Sequence, residues 1–168
     1  MFLVFDVESM GLYGTAFSVG FVVMEKDGKI IEENVWSIPR NNICSASNED
    51  RVWIDINVPI TPPTHKSYKD LCEEFWTTWV RLKNTYPDIT AWADCLFPVE
   101  AGFLTDCVMY DEPNRKWAAP YPFHDIGTLL FARGKNATDH FPRKPNELPA
   151  HNPLYDARQS ARILLENL

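Results

Sequence analysis

Two carboxylates stand one residue apart near the start of the chain. Asp6 and Glu8 follow the apolar residues 2–5. Because side chains alternate between the two faces of a strand, both acids point to the same face. Like charges this close raise each other's pKa unless a cation lies between them. The pair indicates a divalent-metal site, although a strand that ends at Asp6 and leaves both acids in solvent also explains the spacing.

A third acid follows a second apolar stretch. Asp94 comes directly after residues 89–93, which are predicted to form a short strand. Open α/β sheets place their ligand-binding groups at the carboxyl ends of such strands. Asp94 is therefore a candidate metal ligand. An Asp at this place is also commonly a turn or N-cap residue, and a helix is predicted to follow it.

A histidine and a fourth acid flank the predicted start of the last helix. His151 lies just before Asn152 and Pro153, and Asp156 lies in the first helical turn, so imidazole and carboxylate can point to one place. With an ordinary pKa of ~6.5, a histidine can accept a proton near neutral pH. Two simpler explanations stay open. An acid in a first turn stabilises the helix dipole by ~0.3–1 kcal/mol, and a loop histidine is often only a surface residue.

An antiparallel meander of three strands is predicted to position the first two acids. Residues 2–5 are continuously apolar, as in a strand that is buried on both faces. Residues 15–24 alternate between large apolar and small side chains, and an Asp-Gly turn at 27–28 leads back along residues 30–38. Residues 40–66 are rich in Asn, Pro and Ser, and we expect a surface excursion there.

Helices and short strands alternate in the rest of the chain. Ser67 and Asp70 have the spacing of a capping box, and apolar residues then recur at steps of three and four. A helix is predicted over 98–109, a strand over 121–126 with a short helix after it, and a last helix from Asn152. The polar residues 134–150 are expected to form a flexible loop. The predicted order is β-β-β-α-β-α-β-α-α.

Composition limits the class of protein. The chain has 168 residues, which predicts a single domain over 1–168. Apolar residues make up 45% and aromatic residues 13%, which excludes a disordered chain. With 23 acidic and 16 basic residues the net charge is −7, which argues against a polyanion binder held by overall positive charge. The four cysteines are not clustered, so they indicate neither a zinc knuckle nor a redox dithiol.

Features of targeting are missing from the sequence. Residues 1–6 carry no basic segment and reach an acid after a short apolar run, so a signal peptide is not expected. No run approaches the ~18 apolar residues of a membrane span. Together with unclustered cysteines, this predicts a cytoplasmic protein that has no membrane contact.

The combined pattern resembles the DEDDh group of 3′→5′ exonucleases, a superfamily that includes proofreading exonucleases, oligoribonuclease and RNase T. The segment from His151 to Asp156, His-Asn-Pro-Leu-Tyr-Asp followed by Ala, is similar to the H-x-A-x-x-D-A ending of that group. By size and layout the chain resembles small stand-alone exoribonucleases. It departs at the second motif, where residues 91–95, Ala-Trp-Ala-Asp-Cys, replace the N-x-x-F-D of many members. Asp94 and Asp106 are therefore alternatives for the second acid.

The resemblance implies a fold and a mechanism. The fold is a ribonuclease H-like α/β domain, with a mixed sheet, an antiparallel N-terminal meander and flanking helices. Two Mg²⁺ or Mn²⁺ ions would be held by carboxylates, which prefer such hard ions. The implied metal ligands are Asp6, Glu8, Asp94 and Asp156. The implied general base is His151.

Substrate contacts and partners follow from the same resemblance. The implied nucleotide-binding residues are Met10, Gly11, Leu12, Trp92 and Phe97. The partners would be 3′ ends of single-stranded RNA or DNA, with RNA slightly favoured, and a homodimer is left open. Two other functions stay as alternatives: a catalytically silent nucleic-acid-binding module on the same fold, and a metal-dependent nucleotide phosphohydrolase.

Overall fold

A five-stranded mixed sheet forms the centre of the computed structural model, which describes residues 1–43, 47–137 and 141–168. Its strands are β1 (Phe2–Ser9), β2 (Ala16–Met24), β3 (Ile30–Ser37), β4 (Thr90–Ala93) and β5 (Phe123–Asp125). They lie in the order β3-β2-β1-β4-β5. The first three strands are antiparallel, which confirms the predicted meander. Strands β4 and β5 run parallel to β1. The carboxyl ends of β1 and β4 therefore lie at the same edge of the sheet.

Helices cover both faces of this sheet. They are α1 (Asn48–Asn57), α2 (Tyr68–Thr85), α3 (Val99–Met109), α4 (Glu112–Arg115), α5 (Ile126–Ala132) and α6 (Pro153–Asn167). Apolar residues of α1, α2 and α3 form one core with the sheet, and those of α5 and α6 form a second core on the opposite face. The predicted α/β class and the predicted flanking helices are confirmed.

The first strand supplies side chains to both cores. Leu3 and Phe5 lie in the core under α2 and α3, whereas Phe2 and Val4 lie in the core under α5 and α6. This explains why the run is continuously apolar rather than alternating. The strand continues through Ser9, so both acids belong to a paired strand, and the alternative of a strand that ends at the first acid is wrong.

Helix α1 lies within the segment for which the sequence predicts a surface excursion. Ser47 caps it by accepting a hydrogen bond from the Asp50 main chain, and Ile54 is the fully buried residue of its inner face. Its apolar residues lie within 52–56, inside a segment whose Asn, Pro and Ser content favours a loop. The predicted surface excursion thus contains a helix that is missing from the predicted element order, and Cys44 lies outside the described residues.

The capping predictions for two helices are confirmed. Ser67 accepts from the main chain of Asp70, whose carboxylate accepts in return, and α2 follows directly. Asn152 caps α6 by accepting from the main-chain amides of the first turn. No helix among the described residues is both long enough and apolar enough to cross a membrane.

The segment 134–150 is better ordered near its end than its polar composition predicts. Pro145–Glu147 forms a 3₁₀ turn, and the Glu147 carboxylate is only 2% exposed. It accepts from Arg162 of α6, at 2.7 Å from Nε and 2.9 Å from Nη2. A buried ion pair is costly to break on one side, so this pair anchors the turn to α6. Residues 138–140 of the predicted loop lie outside the described part of the chain.

Candidate active site

Carboxylates from four elements converge where β1 and β4 end. The pKa of Asp6 is raised well above its ordinary value. Burial is the largest cause, and four neighbouring carboxylates raise the pKa further. These neighbours, in decreasing order of effect, are Asp156, Glu100, Glu8 and Asp94. The structure thus brings together all four acids that the sequence singled out, and adds a fifth.

A glycine on β2 allows α6 to approach the acids of β1. Gly20 pairs with Asp6 across the β1–β2 ladder, and a Cβ at this position would overlap the main chain of Pro153 and Leu154. The first turn of α6 can therefore lie directly on the sheet. Asp156, in that turn, reaches the edge at which Asp6 lies.

Glu100 is the functional candidate that sequence reasoning missed. It stands in the first turn of α3, is 6% exposed, and accepts a hydrogen bond from the Val7 main chain at 3.3 Å. That amide is free to donate because β1 pairs with β4 only from Phe2 to Val4. An acid in a first turn looks like ordinary dipole stabilisation. The signal that could have identified it is its isolation in an apolar stretch.

The crowding of these acids shows in their pKa values. Burial, followed by the charges of Asp156 and Glu100, raises the pKa of Glu8 to about 8, against the opposing effect of Arg40 and Arg143. Burial is also the main cause that raises the pKa of Glu100 to about 8. The carboxyl groups are held closer together than their own charges favour. A bound cation would relieve this repulsion.

Asp156 is tied to neighbours at both carboxylate oxygens. Oδ1 lies 2.5 Å from Nη1 of Arg143, and Oδ2 accepts from the His151 main chain at 2.9 Å. Burial raises the pKa of Asp156, while Arg143 and His151 lower it. The second contact links the acid to the histidine five residues earlier.

His151 occupies a strained main-chain position beside the acids. Its φ of 60° lies in the left-handed region, which is unfavourable for a residue with a side chain. Nδ1 lies 3.9 Å from Oε1 of Glu8, and the ring packs edge-on against Trp53 of α1 at 5.2 Å. Glu8, His151 and Asp156 each offer an atom within 4.8 Å of the others. The predicted base therefore also lies where a metal ligand could lie.

The structure separates the two alternatives for the second acid. Asp94 lies at the end of β4, and burial raises its pKa, with Asp125 and Asp156 as further causes. Asp106 lies instead farther along α3, where its carboxylate accepts from the Tyr68 hydroxyl at 2.7 Å. Asp94, not Asp106, belongs to the cluster. Glu100 affects Asp6 more strongly than Asp94 does.

One of the predicted nucleotide contacts is corrected by the structure, and a second has packing partners. Met10 is 0% exposed and belongs to the core, so its side chain cannot contact a substrate. Trp92 packs edge-on against Phe2, stacks on His124 at 4.4 Å, and donates its Nε1 proton to Thr90. Met10 therefore serves packing, whereas Trp92 is only partly buried and stays a predicted contact.

The remaining predicted contacts line two neighbouring cavities, of which the first also includes Glu8 of the cluster. A cavity of about 360 Å³ lies between the turn at Gly11 and α1, with Leu12, Trp53 and His151 in its wall. A second cavity of about 350 Å³ lies on the other side of Leu12 and includes Phe97. Leu12 is 67% exposed and Phe97 69% exposed. Leu12 is therefore available to a ligand at the acid cluster, and Phe97 to a ligand that extends into the second cavity.

A larger cavity lies elsewhere and lacks the candidate chemistry. Its volume is about 700 Å³, and its wall includes Thr90 at the start of β4 together with Trp79, Lys83 and Trp117. It thus lies toward the opposite end of β4 from Asp94. None of the acids of the cluster lines it, so cavity size alone does not identify the site.

Comparisons with known proteins support the fold. No family model matches the chain, and no curated protein matches it. The chain is similar to a solved structure described as "Exonuclease X in complex with 5' overhanging duplex DNA", with a TM-score of 0.50 and 17% identity. The match covers 99% of this chain and 90% of that chain. The predicted ribonuclease H-like fold is confirmed.

The donor set of the cluster fits a divalent metal ion. The groups are carboxylates, which are hard oxygen ligands. They are buried, and they lie close enough together for their charges to raise one another's pKa. Ser18, whose Cα pairs with Glu8, has a buried hydroxyl that lacks a hydrogen-bond partner in the described part of the chain. A buried hydroxyl without a partner is uncommon in folded proteins, and this one stands on the strand next to the acids.

The raised pKa values predict that metal-free protein loses thermal stability as the pH rises from about 5 to 8. In this window the unfolded chain has already released the protons of Glu8 and Glu100, whose folded pKa values are about 8. The folded state thus binds more protons, and its stability falls with pH. Glu147 has a lowered pKa because of Arg162, so its effect is confined to pH below its ordinary value of 4.5.

Melting temperatures measured from pH 5 to 8.5 in chelator would test this prediction, since ~1 kcal/mol corresponds to ~2–4 °C at this chain length. Mg²⁺ should remove most of the decline. Glu100→Gln should flatten the dependence of melting temperature on pH in chelator. Glu112→Gln is the control, because Glu112 of α4 pairs with Lys116, and this variant should keep the wild-type dependence. Melting temperatures that rise over this range in chelator would contradict the assignment.

Proposed function

We propose that the protein is a metal-dependent 3′→5′ exonuclease that hydrolyses terminal phosphodiesters of single-stranded nucleic acid, with RNA slightly favoured. The observation that carries this proposal is the cluster of buried carboxylates next to His151, with a cavity that Glu8 and His151 both line. A single acid or an isolated histidine would not support it. The similarity in fold to a solved exonuclease agrees with it.

The carboxylates have the roles of metal ligands in this proposal. Asp6, Glu8, Glu100 and Asp156 would hold two Mg²⁺ or Mn²⁺ ions, and Asp94 would contribute directly or through water. Bound there, the ions would lower the pKa of a water molecule and stabilise the leaving 3′ oxygen. Glu100 is added to the predicted set because of its hydrogen bond to β1 and its effect on Asp6.

His151 would act as the general base. Its ring is partly exposed, with 43% of the side chain accessible, so that a water molecule can approach it. Trp53 packs against the ring, and Asp156 accepts from the His151 main chain. These contacts limit the orientations of the imidazole. A base with a fixed direction can accept the proton of the attacking water.

The two cavities fit adjacent nucleosides at the end of a strand. Leu12 lies in the wall of both, so that each cavity would take one base. Trp53 would line the first base, and Phe97, which packs edge-on against Tyr13, the second. A site for two nucleosides favours an oligomer over a mononucleotide. This is the argument against a nucleotide phosphohydrolase.

An assay with end-labelled oligonucleotides would test the proposal. Single-stranded RNA and DNA of one sequence, labelled at either end, are incubated with Mg²⁺ or Mn²⁺. We expect the 3′ label to appear at once in mononucleotides and the 5′-labelled strand to shorten stepwise, with no reaction in chelator. Binding without cleavage would indicate the silent module, and cleavage confined to mononucleotides the phosphohydrolase. Undiminished hydrolysis in chelator would exclude the metal-dependent mechanism.

A further inference from the structure

Arg143 places a guanidinium group inside the acid cluster. Its Nη1 lies 2.5 Å from Oδ1 of Asp156 and donates to the main-chain carbonyl of Glu147 at 2.9 Å. Its charge also lowers the pKa of Glu8 and of Asp94. The group therefore lies near three of the carboxylates that would hold metal ions.

The main chain on the C-terminal side of Arg143 is anchored. Lys144 donates its main-chain proton to Glu147 at 2.8 Å, and Glu147 is bound in turn by Arg162 of α6. Only 23% of the Arg143 side chain is exposed, so it lies over the acids rather than in solvent. The anchoring keeps the guanidinium within reach of the site even when its ion pair is broken.

A metal ion and Arg143 compete for the same oxygen. A guanidinium at hydrogen-bond distance from Oδ1 of Asp156 would repel a divalent cation bound at the same oxygen, so each would weaken the binding of the other. A metal ion bound here would therefore favour displacement of Arg143 from this oxygen. The displaced group stays close, since its main chain is held by the turn at 145–147.

Charge balance indicates where the displaced guanidinium goes. Two divalent ions neutralise four of the five carboxylates, and a phosphodiester brings a further negative charge. An arginine beside these groups would reduce the remaining negative charge. Its planar fork of N–H groups binds phosphate oxygens with good geometry.

We propose that Arg143 is a ligand for a phosphate of the bound strand, and that in the metal-free protein it occupies Asp156 in place of the metal. This inference rests on the proposed function, because it assumes a phosphodiester substrate. A purely structural role is the competing explanation: Arg143 would then orient Asp156 for metal binding. The two explanations predict opposite changes in metal affinity.

Calorimetry with Mn²⁺ alone distinguishes them. Arg143→Met should bind Mn²⁺ ~3- to 10-fold more tightly than the wild type, because the competing ion pair is gone. Arg133→Met is the matched control: this arginine donates to the main chain of Leu168 instead, and its variant should keep the wild-type affinity. Unchanged or weaker Mn²⁺ binding by Arg143→Met, in a variant that melts like the wild type, would overturn the proposal.

Binding of a fluorescent, phosphorothioate-linked RNA in Mn²⁺ tests the phosphate contact. Arg143→Met should bind this RNA ~10-fold more weakly, and Arg143→Lys should recover part of the loss, because lysine keeps the charge without the fork. Unchanged RNA binding would overturn the phosphate role. If the wild type itself binds no RNA, the proposed function fails, while the Mn²⁺ comparison still decides whether Arg143 competes for Asp156.

Discussion

Replacing Asp6 by asparagine should lower kcat/KM by at least ~10³-fold. Asp6 lies at the centre of the cluster, where four other carboxylates act on it. Losing its charge would remove a ligand from the proposed ions. Metal ions contribute several kcal/mol to such reactions, and each 1.36 kcal/mol corresponds to a factor of ten.

The same variant should remain folded. Asp6 is an unfavourable residue for stability in metal-free protein, because burial and like charges both oppose its ionisation. Asp6→Asn should therefore melt at the same temperature as the wild type, or higher, in chelator at pH 8. Turnover and melting are measured together. A variant that unfolds would show that Asp6 has a structural role instead.

Asp88→Asn is the matched control for this experiment. Asp88 precedes β4 at the end of the sheet away from the cluster, is 75% exposed, and pairs only loosely with the N-terminal amine at 3.8 Å. Its variant should keep wild-type turnover. A comparable loss in both variants would mean that the effect of Asp6→Asn is not specific to the site.

Patterns set by one element could be predicted from the sequence. The continuous apolar run of β1 reflects burial on both faces, and the Asp-Gly turn joins β2 to β3. The caps at Ser67 and Asn152 depend on hydrogen bonds within a single helix turn. The same helix start also brings His151 and Asp156 together, since the Asp156 carboxylate accepts from the His151 main chain.

Properties that depend on packing between elements could not be predicted in this way. Glu100 acts at the site only because α3 brings it to the unpaired amide of Val7. Met10 stands between Ser9 and Gly11, and such neighbours suggest a loop. Its side chain is nevertheless buried in the core. The contact of Trp53 with His151 requires α1, which lies in a segment whose Asn, Pro and Ser content favours a loop. Each case is decided by a partner distant in sequence.

His151→Ala should lower kcat by ~10²–10⁴-fold, the usual contribution of a positioned base. The structure raises an alternative for this residue, because its ring shares with Glu8 and Asp156 a geometry that could bind a metal ion. If His151 is the base, its replacement leaves the carboxylate ligands in place. Mn²⁺ affinity should then be nearly unchanged, and His151→Gln should lose as much turnover as His151→Ala.

Asp156→Ala should behave differently although it lies only five residues away. This change removes a carboxylate of the cluster, together with the acceptor for the His151 main chain and for Arg143. Both turnover and Mn²⁺ affinity should fall. Calorimetry on the two alanine variants, with turnover measured in parallel, separates a base from a ligand. Should His151→Ala lose as much Mn²⁺ affinity as Asp156→Ala, the histidine binds the metal, and the proton must be accepted by another group.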